Sequence, residues 1–277
     1  MAGTIVVDRL ESDASYASSI NVASPMVISN TITMGSSAAI SGNVNFDSGT
    51  LFVDSVNNRV GVGTQNPATS MALDVRGNMR LGDGVSGEQD ITYVTSGSGT
   101  GWQVGVNDGS LASTNQYYVY NNTAAAYYLQ IDSAGRVTQP KQPRFFASNR
   151  NTDSSASNLV FTTVGENVGS HYSNSTGRFT APVAGTYVFK WGSLFGTNNT
   201  VGRFYLRRNG SDVGGNSDIN QLRLDCGASG SEILQGERTF LISAAAGDYF
   251  NIYFASDDGS SNSTSTTYAF FTGWLLA

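Results

Sequence analysis

At 277 residues, with 39% apolar side chains, the sequence has material for two or three structural units and a sizeable core. Its net charge of −6 argues against a nucleic-acid binder, whose affinity rests on a basic patch. No run reaches the roughly 18 apolar residues of a membrane span, and the start, Met1 to Leu10, lacks the charged and apolar regions of a secretory signal.

Only 13% of the residues are charged, aromatics reach 11%, and glycine alone contributes 32 residues. Aromatic and β-branched side chains suit a pleated surface, while Gly and Asn suit tight turns, so the expected class is all-β. Lys141 and Lys190 are the only lysines. Arginine is preferred at paired and interface positions, which fits an assembled protein, as does a simple codon bias. Cys226 is the one cysteine and His171 the one histidine, leaving no pair for nucleophilic catalysis and no cage for a metal within one chain. No cofactor is expected.

Residues 1–50 are rich in Ser, Ala, Asn and Thr, with β-type runs at Thr4 to Val7 and Val27 to Met34. Asp8 to Ser19 is compatible with a short helix. The apolar residues are too sparse to bury a face within one chain, so order is expected from sister chains or from a larger assembly. Ile5, Val6, Val7 and Leu10 are the candidate attachment residues.

Residues 51–139 read as β-rich modules. Leu51 and Val53 alternate, Asn57 and Asn58 supply turn residues, and Arg59 to Val62 resumes the strand, which predicts a hairpin. Thr64 to Ala68 offers a cap residue and an early proline, predicting one helical turn, before Leu73 to Met79 returns to strand. The pattern Arg59-Val60-Gly61-Val62-Gly63-Thr64, Asn66-Pro67, Leu73-Asp74-Val75-Arg76-Gly77 resembles an element recurring in the shafts of bacteriophage tail fibres. The strand, Asp-Ser turn and Arg-Val of residues 51–60 are echoed at 129–137, where Leu129, Ile131, Asp132, Ser133, Arg136 and Val137 recur in order. Between the copies, 82–128 reads as a small antiparallel module.

Pro140 and Pro143 bracket a boundary. Residues 140–277 then carry strands at sandwich-like spacing, starting at Arg144-Phe145-Phe146-Ala147. The predicted runs are Leu159 to Thr163, Arg178 to Thr180, Thr186 to Trp191, Arg203 to Arg208, Asn220 to Leu224, Arg238 to Ser243, Tyr249 to Ala255 and Tyr268 to Leu276. Tyr187, Phe189 and Trp191 alternate strictly, placing three aromatics on one face. Gly177, Phe179 to Pro182, Gly185, Tyr187 and Phe189 closely resemble the signature of the C1q-like family, whose heads share the tumour-necrosis-factor jelly roll. Ala246-Gly247-Asp248-Tyr249 and Phe271 to Leu276 resemble its later strands, with Trp274 where Phe or Tyr is more usual. The resemblance implies a jelly roll and a homotrimer. Aromatics on both faces of their strands, including Phe204, Tyr205, Phe250, Tyr253, Phe254, Phe270 and Phe271, outnumber what one sandwich core is expected to hold, which also predicts an interface.

No carboxylate pair is framed by a catalytic motif, so no enzymatic activity is expected. Asp257-Asp258-Gly259 supplies half a calcium site at most. If strands alternate in direction and both ends of the jelly roll lie at its base, three polar loops fall at the far tip. They contribute Asn198, Asn199 and Thr200; Ser229; and Asp257, Asp258, Ser260, Asn262 and Ser263 as candidate ligand contacts, because loops on rigid scaffolds usually carry recognition. The combined expectation is an elongated, trimeric bacteriophage tail or neck fibre. It would be exposed on the virion, joined to other virion proteins through residues 1–50, and bound to a host-surface glycan or protein through its head. The alternatives are a structural collar fibre or decoration protein and, less well matched, a glycan-degrading tailspike.

Overall fold

A computed structural model of the chain describes residues 43–47, 50–80, 89–94, 101–107, 116–151, 156–196, 200–213, 220–226, 233–259 and 266–277. Among these there is no α-helix. The chain divides into two compact units, residues 1–80 and 81–277. The early runs at 4–7 and 27–34 and the short helix at 8–19 lie outside the described residues.

In the first unit, β1 (Val44–Phe46), β2 (Leu51–Asp54), β3 (Arg59–Val62) and β4 (Leu73–Val75) form one sheet in that order. The β2–β3 pair is the predicted hairpin, and Asn58 takes the left-handed conformation, with φ of 53°, that its short polar side chain tolerates. Asp54 organises the turn. Its carboxylate accepts hydrogen bonds from the Asn57 backbone and side-chain amides at 3.1 and 2.9 Å and from Arg59 Nη2 at 2.6 Å. The bond from the Asn57 side chain, then that from Arg59, holds its pKa at about 2. The helical turn expected at Thr64 to Ala68 does not form. The Ala68 amide donates to Asp74 Oδ2 at 3.0 Å, and the Pro67 carbonyl accepts from Arg59 Nη1 at 2.7 Å, so both groups bond outside the segment.

The second unit opens with a five-stranded antiparallel meander: β5 (Gln89–Val94), β6 (Gly101–Asn107), β7 (Gln116–Asn121), β8 (Ala126–Ile131) and β9 (Val137–Thr138). The echo of the β2–β3 turn proves to be the same physical device. Asp132 follows β8, its Oδ1 accepts the Ala134 and Arg136 amides at 2.9 Å each, and its Oδ2 accepts Arg136 Nε at 2.6 Å.

The sandwich follows. One sheet has the order β12 (Phe161–Val168), β10 (Arg144–Arg150), β21 (Phe270–Leu275), β15 (Gly185–Phe195), β19 (Leu234–Ala244). The facing sheet runs β13 (Tyr172–Ser173), β14 (Arg178–Thr180), β20 (Tyr249–Ser256), β16 (Thr200–Arg208), β17 (Ser211–Asp212); β11 (Ala156–Asn158) also pairs with β20, and β18 (Gln221–Cys226) with β16. Every predicted strand of the head has a counterpart. Leu159 instead belongs to a connection whose amide donates to the Ile252 carbonyl, and three short strands, β11, β13 and β17, carry too few residues to show a period.

Tyr187, Phe189 and Trp191 line the space between the sheets, each at most 1% exposed. Phe204, Phe250, Phe254 and Phe271 are equally buried within this single chain. The expectation that so many aromatics overfill one core is therefore corrected: edge-to-face and stacked rings, such as Phe145 on Phe179 at 4.9 Å, pack most of them inside. Glycines make the room. A Cβ at Gly273 would lie 2.4 Å from the Phe189 ring, and one at Gly202 2.6 Å from the Phe195 ring. Asn209 and Gly210, at φ of 52° and 84°, form the predicted tight turn between β16 and β17.

Candidate recognition site

The polarity of the sandwich is fixed by its register. The chain enters at Arg144 opposite Trp274, near the end of β21, and the Leu275 amide donates to the Pro143 carbonyl at 3.0 Å. Gly185 pairs with Ala244 at the same end, and the Thr186 amide donates to the Ala277 carbonyl at 2.8 Å. The corner from Pro182 to Gly185 thus lies at the base, as strand counting predicts. At the opposite end, Phe195 pairs with Leu234, Thr200 with Cys226, Gly202 with Ser256 and Gly192 with Phe270. The mouths of all three predicted loops open there.

Asp257 and Asp258 are exposed at this end, and the Asp257 amide donates to the Val201 carbonyl at 3.1 Å. The Asp257 carboxylate pairs with Arg203, whose Nη2 donates at 2.8 Å. Arg203 and Arg223 stand opposite each other on β16 and β18, and each takes its own carboxylate, Asp257 and Asp225. Interleaved charge of this kind leaves no single-sign field among the described residues, and Asp257, one of the two aspartates of the suggested half-site, is already paired with a guanidinium. Among the described residues no group of three or more His, Cys, Asp or Glu side chains gathers.

Thr200 is corrected. It is the first residue of β16, pairs with Cys226 and is only 5% exposed, so it cannot present its hydroxyl to a ligand. Asn198, Asn199, Ser229, Ser260, Asn262 and Ser263 lie outside the described residues, as do Ile5, Val6, Val7 and Leu10. Cys226 is buried, with Sγ 3.6 Å from the Phe195 carbonyl. His171 sits half-buried with its ring edge-on to Phe179, and burial lowers its pKa, which favours the neutral imidazole.

Two features escaped the sequence reading. Tyr268 opens the predicted closing strand, yet it stands on a single 3-10 turn, Thr266–Tyr268, at the tip and is 64% exposed. A fourth connection, after Arg150, also opens at the tip, because β10 runs upward from the base. Its start is fixed by Asn151, whose amide and Oδ1 bond the Val160 carbonyl and amide at 2.9 Å each. Counting directions from the first strand, as well as from the last, reveals it.

The model of the C1q domain family matches residues 144–276. Residues 144–276 are a C1q domain. The signature residues of the C1q domain now have physical roles. Gly177 has φ of 69° and lies against the Leu159 carbonyl; Phe179 is fully buried; Gly247 takes φ of 90° beside Asp248, whose carboxylate accepts the Asn209 side-chain and Ala245 backbone amides. Among solved structures, the globular domain of zebrafish complement 1qA is 20% identical, covering 49% of this chain and 98% of its own, with a TM-score of 0.37. Murine APRIL at pH 5.0 is 14% identical, covering 49% of this chain and all of its own, with a TM-score of 0.39. Among curated proteins none matches.

Proposed function

We propose that the protein is a homotrimeric bacteriophage virion fibre that adheres to the host surface through the tip of its C1q domain and is held to the particle by residues 1–50. The observation that carries this reading is the convergence of four connections at the end of the sandwich opposite the base, where Asp257, Asp258 and Tyr268 are exposed. C1q domains typically act as trimeric binding modules rather than enzymes. The resemblance of residues 58–81 to a phage-shaft element supports the viral setting. An exposed tyrosine and exposed carboxylates at one end of the sandwich suit a host glycan, the ring stacking on a sugar face while carboxylates accept its hydroxyls. Three tips on one particle raise a modest single-site affinity through effective concentration.

Purified full-length protein, added to host cells before the phage, is expected to slow adsorption, and the Tyr268→Ala variant to compete less well. Failure of the unmodified protein to compete would favour a collar fibre whose head docks another virion protein.

A further inference from the structure

The meander preceding the head has one face that the described residues of its own unit leave largely open. Register places three rows of residues on it. Val106, Tyr117, Ile131 and Val137 form one row; Ile91, Val104, Val119 and Leu129 a second; Tyr93 and Trp102 begin the third. Side chains at paired positions share a face. Six of these large side chains, Ile91, Tyr93, Trp102, Val106, Tyr117 and Val137, are between 39% and 59% exposed. A bulge adds to the set: Tyr128 is left without a strand partner between Leu129 and Tyr127, and its ring lies 5.0 Å from that of Trp102. No charged residue falls in these rows. Asp90 pairs with Gly105 in the alternate set and points the other way.

Resting on the trimeric reading above, we infer that this face is covered by the same face of sister chains, so that three meanders pack around a common apolar core. Neutrality makes the surface complementary to itself, since a copy laid on a copy buries no unpaired charge. Size points the same way. Four strands of about six residues and the two-residue β9, about 4.8 Å apart, span at most roughly 24 by 20 Å. That matches the largest exposed patch of a typical monomer, which is often an interaction site, and is less than the ~800 Å² per partner of a stable standard interface. Such a face needs a partner already held nearby. Residues 139–143 provide the tether, because they are short and pinned to the head. Gln142 Nε2 donates to the Leu275 carbonyl at 2.5 Å, and Arg144 Nη1 to the Gln139 carbonyl at 3.3 Å. Three heads that trimerise hold three meanders at high effective concentration, and the sister copies are the available apolar partners.

The test uses full-length protein with the photocrosslinker p-benzoylphenylalanine placed at Tyr117, an aromatic site on the open face, or at Thr92 on the opposite face. Sedimentation is measured first, then the chain is illuminated and run on a denaturing gel. A trimer giving bands at two and three times the 29.2 kDa chain from Tyr117, and none from Thr92, is the expected result. A trimer without chain-to-chain products from Tyr117, or with equal products from both positions, overturns the inference and leaves the fibre reading standing. A monomer overturns the trimeric reading and the inference with it.

Discussion

The Gly273→Ala variant probes how the head accommodates its aromatic core. The added Cβ would lie 2.4 and 2.7 Å from two atoms of the Phe189 ring and 3.0 Å from Phe145. Phe189 has little space to yield, since Phe250, Phe179 and Phe271 hold its ring at centroid distances of 4.5, 5.7 and 5.8 Å. Overpacking a close-packed interior costs about 1–3 kcal/mol. Alanine in place of glycine recovers about 0.4–1 kcal/mol by restricting the unfolded chain. The net expectation is a loss of about 1–2 kcal/mol, or roughly 3–8 °C in melting temperature for a domain of this size. Thermal unfolding of the full chain, followed by near-ultraviolet circular dichroism, reads the change. The decisive comparison is Gly273→Ala in a Phe189→Leu background, where the smaller side chain frees the space and the penalty should shrink by about 1 kcal/mol. An unchanged or raised melting temperature for the single variant, or an equal penalty in both backgrounds, refutes the steric argument.

Two further outcomes follow from the hydrogen bonds. Tyr172 buries its hydroxyl between the Phe161 amide and carbonyl, at 3.2 and 3.0 Å, and burial raises its pKa to about 12. Tyr172→Phe should therefore lower the urea midpoint by the equivalent of about 1–3 kcal/mol, and an unchanged midpoint would mean that water replaces the hydroxyl. The fold lowers the pKa values of Asp54, Asp132 and Asp248, chiefly through the Asn57 side chain, the Arg136 amide and the Asn209 side chain respectively. Groups with depressed values contribute stability that is complete above pH ~4 and is lost on further acidification, for Asp54 as pH falls through about 2. Urea midpoints taken at pH 7, 4 and 2.5 should fall only between the last two, and Asp54→Asn should reduce that fall; equal slopes in both proteins would contradict the assignment.

The head was legible because its signals are local and strong. Strict alternation at Tyr187, Phe189 and Trp191 fixes a buried face, and Asn209-Gly210 fixes a turn that needs positive φ at both residues. What the sequence hid depends on neighbours distant along the chain. Whether an aromatic belongs to a core or an interface is decided by the glycine opposite it, as with Gly202 under Phe195, and pairings across tens of residues leave no period to read. The same limit applied at the tip. Tyr268 reads as the start of the closing strand, but β21 begins only at Phe270, and Tyr268 stands exposed on the turn before it. At Thr200 the error ran the other way: a polar residue beside asparagines reads as loop, while its pairing with Cys226 draws it into the sheet.

The distribution of apolar surface separates the modules by what each can do alone. The C1q domain has abundant Phe and Tyr and buries most of them between its own sheets, so its tip is free to be polar without loss of stability. The two sheets before it lack a second layer among the described residues. In the first unit Phe46, Leu51, Val62, Met71 and Leu73 are each between 37% and 55% exposed, and Asp54 is buried instead, held by Asn57 and Arg59. Turns stapled by Asp-Arg pairs, at 54 and 59 and again at 132 and 136, fix the hairpins without a core. Hairpins fixed by hydrogen bonds yet uncovered on an apolar face are poorly stable as isolated layers. They are well suited to stacking against copies of themselves, because the stapled turn sets the strand register before the partner arrives. On the proposed reading, the meander adds self-association to that of the heads, and recognition belongs to the tip of the sandwich.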